Sequence, residues 1–524
     1  MKVGVINTIS ARHINQFQKD GIEKIIFTKI EASVNYSTLA SNFTLVNAFE
    51  NTSEANWYNF NLVAEKTKKL SLAFPGIFMY KGYDLQKALN KDLFWAYLFT
   101  NALLFEANKI KGNPSFIFYD ERPEIKKRLA LIRKIFLYKH SSYQILPEKQ
   151  VTAIEKKIAF RLNDPFMVDV YGNLFEKLGI KNVLPFQSIN NKDTSAVNKQ
   201  MLETFGLNFT TKAVQRNPFK LSGFQKVKLF FYNEDPDFIN TLIYLMNTLC
   251  NHVDEYERLF SNGVKKVILN AGENEGEGNV LCMVASKMKG VTFNYMNGTK
   301  AKDPQNMHSY FDYWFMPDQN TQELLLSYCE LSPVQLPVTG HVLQDSAELH
   351  QYSGTLDLVL EKIKNKKVIA LLTSRIYALE KQDVLKMLSS YLDKHKDVVV
   401  LVRKHPSETE GNDAMHERIL PVPSYTERMV QKSLFDLFLK SSVAISFSSM
   451  VSFQASWFNI PSINFELSEK SRLPFVDDKA VFHVNSPVIL EKYLDEFLMD
   501  EMWKPLVNNR AHASQNIADI LLKE

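Results

Sequence analysis

Two hydrophobic rhythms divide this 524-residue chain. Short unbroken apolar runs open it, KVGVINT at 2–8 and IEKIIFTKI at 22–30. Runs of that length bounded by polar residues are expected as buried strands of an α/β sheet. From about 55 to 220 the apolar positions recur at spacings of three and four, as in LVAEKTKKLSLAF, DLQKALNKDLFWAYLFTNALLFEANKI and EIKKRLALIRKIFLYKH. That period predicts a largely helical insertion. From 226 onward KVKLFFY, FINTLIYLMNTL, VKKVILN, NVLCMVASKM and VTFNYMNG read as alternating strands and helices, the signature of a parallel, doubly wound sheet.

Periodicity lapses around 331–366, where LSPVQLPVTGHVLQDSAELHQYSG supplies prolines and glycines, and an interdomain connection is expected there. A second alternating block follows: KKVIALLTS, a helix near 379–394, DVVVLVRKHP, a helix near 428–440, SVAISFSS, a helix from about 450, and PSINFE. The expectation is two Rossmann-like α/β domains: residues 1–345 carrying the helical insertion at 55–220, and residues 346–524.

Composition narrows the function. Hydrophobic residues make up 45% and charged residues 23%, which disfavours disorder, collagen and coiled coil. A net charge of +4 over so long a chain gives no basic excess for nucleic-acid binding. Cys250, Cys282 and Cys329 form no CxxC pair, so neither a disulfide framework nor thiol redox chemistry is expected. The opening MKVGVINTISARHINQ lacks the apolar run of a secretory signal, and no stretch approaches the ~20 apolar residues of a membrane span. A cytoplasmic location is expected.

In open α/β sheets ligands bind beyond the carboxyl ends of the strands, so polar residues that follow apolar runs are the candidates. DVVVLV ends in Arg403, Lys404, His405 and Pro406, two cations and an imidazole at one tip. SVAISF ends in Ser448 and Ser449 before a helix, where a hydroxyl caps and free N–H groups receive a phosphate. PSINF ends in Glu466, placed to accept hydrogen bonds from ribose hydroxyls. Together these describe a nucleotide-phosphate pocket; one by one they are also an ordinary turn, a helix cap and solvated charges.

VVLVRKHP followed by SVAISFSSMVSFQASWFNIPSINFE resembles the donor domain of GT-B glycosyltransferases of bacterial surface polysaccharide synthesis. The resemblance is to the sialyl- and polysialyltransferases, Kdo transferases and CDP-glycerol glycerophosphotransferases, which have His-Pro and Ser-Ser or Ser-Thr motifs, and it spans roughly 226–470. It implies that His405, Ser448 and Ser449 hold the phosphate of a cytidine nucleotide donor. GVTFNYMNGTKAKDPQNMHSYFDYWFMPDQNTQELL, ending in LPVTGHVLQD, is similar to the acceptor-side stretch of these enzymes. Where relatives carry Gln-His-Gly this chain has Met296-Asn297-Gly298, so a base on that turn is missing.

A base is therefore sought in AGENEGEGN, where Glu273, Glu275 and Glu277 share a glycine-rich loop at a strand tip. The sialyltransferase pattern has two acidic residues before a glycine; here Asn274-Glu275-Gly276 departs at the first position. Clustered carboxylates raise one another's pKa, which suits proton abstraction from an acceptor hydroxyl. The bland alternative is a mobile, solvated acidic loop. Asp235, in Asp235-Pro236-Asp237, is the substitute base. That Asp-x-Asp also reads as a divalent-metal motif, or equally as a helix start; no metal site and no cofactor are expected. IKKRLALIRKIFLYKH at 125–140 has six Lys/Arg and no acid, with Ile125, Leu129, Ile132 and Phe136 on one face. It reads either as a surface helix on an anionic membrane, which would put the protein at the inner face of the cell membrane, or as a helix packed on the core.

The resulting expectation is a two-domain GT-B enzyme in which domain 1–345 faces the acceptor and domain 346–524 binds the donor. It moves a sugar from a nucleotide-activated, CMP-linked donor to a surface glycan or lipid-linked acceptor, with inversion and without metal. The rivals are a UDP-sugar 2-epimerase, disfavoured because Phe447-Ser448-Ser449-Met450 stands where those enzymes typically have Asp-Ser-Gly-Gly, and a non-catalytic nucleotide- or glycan-binding subunit of an export assembly.

Overall fold

The structure is a computed structural model. It describes residues 1–524 apart from 32–33, 35, 49–51, 120–125, 128–129, 132–157, 163–166, 187–218, 220, 231, 233, 273–274, 297–303, 307–308, 374–377, 406–415, 423–429, 448, 466–480, 500–511 and 524. Among the described residues, apolar strands pair into three parallel sheets.

The first sheet contains β1 (Lys2–Ile9), β2 (Lys24–Ile30), β3 (Thr44–Asn47) and β6 (Ser115–Phe118) in the order β3-β2-β1-β6. Helices α1 (Ala11–Asp20), α2 (Tyr36–Asn42), α3 (Thr52–Ala73) and α4 (Gln86–Asn108) and a small hairpin, β4 (Met79–Tyr80) with β5 (Tyr83–Asp84), fill its connections. The second sheet is β11-β10-β9-β7-β8. Its elements are β7 (Ile158–Arg161), α5 (Met167–Leu178), β8 (Val183–Phe186), α6 (Gly223–Phe230), α7 (Pro236–Ser261), β9 (Lys266–Asn270), α8 (Gly276–Met288), β10 (Val291–Tyr295), β11 (Tyr313–Phe315) and α9 (Gln319–Leu326).

After α10 (Val342–Glu348) comes the third sheet, β14-β13-β12-β15-β16-β17. It is built from β12 (Lys367–Leu372), α11 (Ala378–Lys394), β13 (Val398–Arg403), β14 (Ile419–Pro421), α12 (Val430–Leu439), β15 (Val443–Ser446), α13 (Met450–Ser456), β16 (Ser462–Phe465), β17 (Val481–Val484) and α14 (Pro487–Met499). The chain ends in α15 (Ala513–Lys523). The second and third sheets are the two Rossmann-like units, and all their pairings are parallel.

Two sequence expectations are corrected. Residues 55–220, expected to be largely helical, also contribute the strands β4 to β8. Four fully buried residues in a row, as in β7 and β8, carry no alternation that would separate strand from helix. KVKLFFY is not a strand: residues 223–230 form α6. Ser222 and Gln225 cap it reciprocally, the Ser222 N–H donating to Gln225 Oε1 at 2.9 Å and the Gln225 N–H to Ser222 Oγ at 3.2 Å. That Ser-x-x-Gln capping box outweighs the alternation beyond it.

Helix α4 joins the first two sheets. Ala102, Leu103 and Ala107 pack with Val3, Val5 and Ile26 of the first, while Ala88, Leu89 and Leu93 share a core with Leu242, Met246, Val280 and Leu281 of α7 and α8. Helix α15 returns to the second unit, burying Ala513, Ile517, Ala518 and Leu521 with Phe160, Phe293 and Phe315. Asp345 fastens its start by accepting the Ala513 N–H at 3.1 Å and the Ser514 N–H at 2.7 Å.

Candidate functional site

At the carboxyl edge of the second sheet, β7 ends in Arg161 and β9 ends in Asn270. Arg161 is 3% exposed; its guanidinium donates to the Asn270 carbonyl at 2.5 Å, to Glu277 and, at 3.1 Å, to Glu275 Oε2. Glu275 is the N-cap residue of α8, with its side chain half exposed to solvent. Glu277, two residues on within the first turn, is fully enclosed and also accepts the Tyr256 hydroxyl at 2.6 Å. Glu275 and Glu277 thus share one cation, so the expectation that the acidic loop is a set of mutually repelling carboxylates is replaced. Burial pushes Glu277 up, but Arg161 and His252 outweigh it and hold the carboxyl below its ordinary range.

The glycines explain how the loop closes over this group. A Cβ on Gly276 would stand 2.4 Å from the Ala88 carbonyl oxygen of α4, and one on Gly278 only 2.1 Å from the Gly272 carbonyl oxygen. The Gly-x-Gly therefore lets α8 start against α4 and against its own loop, so these glycines are packing residues. Asp92 of α4 accepts the Gly276 N–H at 2.7 Å, and loss of surrounding water pushes its carboxyl up to about 7.

Behind Glu277, His252 and Glu255 of α7 are buried. Burial alone would lower His252, but Glu277 and Glu255 overcome it and raise the imidazole to about 9. Sequence reasoning missed Arg161, His252 and Glu255; the one available signal was His252-x-x-Glu255, which puts both on one helical face.

Asp235 is the N-cap of α7 and accepts the Asp237 N–H at 3.0 Å, with Pro236 at the first helical position. This is the helix-start alternative of the sequence reading. Lys127, from the basic segment 125–140, is buried 3.8 Å from Asp235, and Leu131 joins the core. Most of that segment lies outside the described residues.

On the third sheet the register sets the other half of the candidate site. Arg403 pairs with Leu372, Leu372 with Ser446, and Ser446 with Asn464. With neighbouring strands about 4.8 Å apart, Arg403 and Ser446 stand roughly 10 Å from each other at one level. Arg403 is half-buried, and desolvation lowers it to about 10, so it stays a cation at neutral pH. Its backbone carbonyl accepts the Thr373 N–H at 3.0 Å. Lys404 and the exposed His405 follow directly. Ser449 caps α13 through Val451 N–H at 3.4 Å. Glu273, Pro406, Ser448 and Glu466, and Asn297 and Gly298 of the acceptor-side turn, lie outside the described residues.

No protein-family model matches this sequence, and no curated protein does. Solved structures do match. The S. aureus MnaA–UDP co-structure aligns with TM-score 0.50 and 14% identity over 70% of this chain and 96% of that one. The UDP-GlcNAc 2-epimerase from Neisseria meningitidis bound to UDP-GlcNAc aligns with TM-score 0.50 and 13% identity over 70% and 100%. The wall teichoic acid polymerase TagF, soaked with CDPG, reaches TM-score 0.42 and 15% identity over 76% and 97%. At such identities the likeness shows the fold alone, and that fold is GT-B: two Rossmann-like units, here preceded by an additional parallel sheet. Among the described residues no helix is long and apolar enough to cross a membrane.

Proposed function

We propose that this chain is a GT-B enzyme that binds a nucleotide-activated sugar on its third sheet and transfers the sugar, with inversion, to a hydroxyl of a glycan or lipid-linked acceptor. The observation that carries the reading is the desolvated Arg403 cation at the carboxyl edge of β13, followed by Lys404 and His405 and level with the end of β15. A diphosphate or monophosphate leaving group is met there by fixed positive charge, which needs no exchangeable cation on the donor. In this reading the hydroxyls of Ser448 and Ser449 are assigned to the phosphate and the carboxylate of Glu466 to the ribose. On the opposite domain Glu275 takes the acceptor proton, with Arg161 fixing its orientation. A pyrimidine nucleotide is favoured; CMP follows from the motif resemblance, and the two structural neighbours at TM-score 0.50 carry UDP or UDP-GlcNAc.

The rival is sugar epimerisation at C2, which the same fold supports in the Neisseria meningitidis protein. Phe447-Ser448-Ser449-Met450 and the glutamate at the start of α8 favour transfer. A thermal-shift panel of CMP, CDP, UDP and GDP tests the binding half: the cognate nucleotide at ~100 times its dissociation constant stabilises the fold by about 2.7 kcal/mol. No shift with any nucleotide overturns the reading in favour of a non-catalytic role.

A further inference from the structure

The group behind Glu277 has a feature that proton transfer and packing do not use. His252 and Glu255 sit one turn apart on α7 and are 1% and 5% exposed. His252 Nδ1 lies 3.7 Å from Glu255 Oε2 and 3.7 Å from Glu277 Oε1. One donor atom from each of the three residues falls within 4.8 Å of the others. Among the described residues, no hydrogen bond is made to either carboxylate oxygen of Glu255 or to His252 Nδ1. A buried carboxylate without hydrogen bonds is severely disfavoured unless a cation meets it, and the one imidazole near Glu255 is shared with Glu277 at the same 3.7 Å. Protonating Glu255 would remove the charge but leave a hydroxyl and a carbonyl unsatisfied.

We infer that His252, Glu255 and Glu277 form a structural binding site for a divalent transition-metal ion of the zinc type. Around one ion with bonds of about 2.1 Å, tetrahedral ligand atoms stand about 3.4 Å apart, with water completing a set of three protein ligands, so two separations of 3.7 Å and a third within 4.8 Å close onto a metal with side-chain adjustments. One imidazole with two carboxylates suits zinc and its first-row neighbours. Magnesium and calcium prefer all-oxygen shells and, for magnesium, several waters. Ligand support is in place as well: Tyr256 donates to Glu277 Oε1 at 2.6 Å, and Arg161 holds the other oxygen of the same carboxylate. Four carboxylates, Asp92, Glu255, Glu275 and Glu277, interact here with the Arg161 guanidinium, with His252 and, more weakly at Glu255, with Arg258. A divalent cation offsets that excess of negative charge. The ion ties α7 to the first turn of α8 and thereby anchors Glu277, Arg161 and, through Arg161, the exposed Glu275. Because its ligands are enclosed, it does not reach the donor.

The test is metal content, read without reference to activity. The full chain, purified without a polyhistidine tag and desalted, is expected to carry about one equivalent of a divalent transition metal by mass spectrometry. Glu275→Gln, outside the ligand set, keeps it, whereas His252→Ala and the near-isosteric Glu255→Gln lose it. Protein stripped by prolonged chelation is expected to take up one Co²⁺, seen as visible absorption, and to gain thermal stability. Wild-type protein that holds no metal and neither binds Co²⁺ nor gains stability from Zn²⁺ overturns the site. Wild-type metal content in both ligand variants overturns it too, because the ion is then held elsewhere.

Discussion

Arg161 and Glu275 meet at 3.1 Å, an enclosed guanidinium holding a carboxylate that faces solvent. Glu277 holds the same guanidinium from the buried side. One cation therefore separates two glutamates into different tasks. Glu275→Gln keeps the shape and removes proton affinity, so turnover is expected to fall by ~10² to 10⁴ with little change in donor affinity or melting temperature. Glu277→Gln leaves the buried Arg161 guanidinium paired only with the solvent-facing Glu275 and is expected to destabilise the fold by about 3–5 kcal/mol, read from denaturant midpoints. Asp235→Asn preserves an N-cap and is expected to be near wild type in both respects. A dead Asp235→Asn beside a normal Glu275→Gln would move the base to the start of α7.

The donor side has its own signature. Arg403→Gln and His405→Ala are each expected to lower turnover by roughly 10² to 10³, the usual loss when a preorganised group facing developing charge is removed. Arg403→Gln should also weaken nucleotide binding measured by calorimetry. Unchanged turnover in both variants removes the phosphate role from this strand tip.

The alternating blocks were legible because parallel strands, buried on both faces, show as unbroken apolar runs: VILN, VVVLVR and VAIS all stand where strands were expected. The tip of β13 was legible for the same reason, since Arg403 closes its apolar run. The elements that were not legible were short strands set among helix-period sequence, such as Ile158–Arg161, and α6, whose capping box competes with a β-like alternation. Arg161 escaped notice because its importance comes from pairings made across more than a hundred residues of chain. AGENEGEGN follows the end of β9 as its sequence suggests, but from Gly276 onward it is the first turn of α8, and its spacing alone does not tell the exposed Glu275 from the enclosed Glu277.

Gly278 tests whether the loop is a packed element. Its missing Cβ leaves room for the Gly272 carbonyl oxygen 2.1 Å from where that atom would be, and a backbone neighbour cannot swing aside. Gly278→Ala is expected to cost ~1–3 kcal/mol or more in chemical denaturation. A neutral result would mean that the loop is loose.

His341 gives a pH signature. Its ring is buried against Trp457 and Tyr295, with Nδ1 accepting the Leu343 N–H at 3.2 Å, and burial lowers it to about 3. A histidine lowered from 6.5 contributes its full stability above pH 6.5 and loses it as pH falls from there toward 3, because only the unfolded chain takes up the proton. At pH 5 this one group is expected to cost about 2 kcal/mol relative to pH 7. His341→Gln should be less stable at neutral pH and show a flatter decline between pH 7 and 5. An equally steep decline in the variant would assign the acid sensitivity to other groups.

Product formation separates transfer from a nucleotide-activated sugar from epimerisation and from binding alone. The purified chain, briefly exposed to EDTA, is incubated with CMP- and UDP-activated sugars, with and without a hydroxyl-bearing glycan acceptor, and nucleotide and sugar products are followed by chromatography and mass spectrometry. An inverting transferase gives nucleotide release that depends on acceptor, a glycan heavier by one sugar with inverted anomeric configuration, and little effect of the brief EDTA treatment. Release of nucleotide without acceptor, together with a free sugar epimerised at C2, would contradict the proposed transfer, as would complete loss on chelation reversed by Mg²⁺ or Mn²⁺.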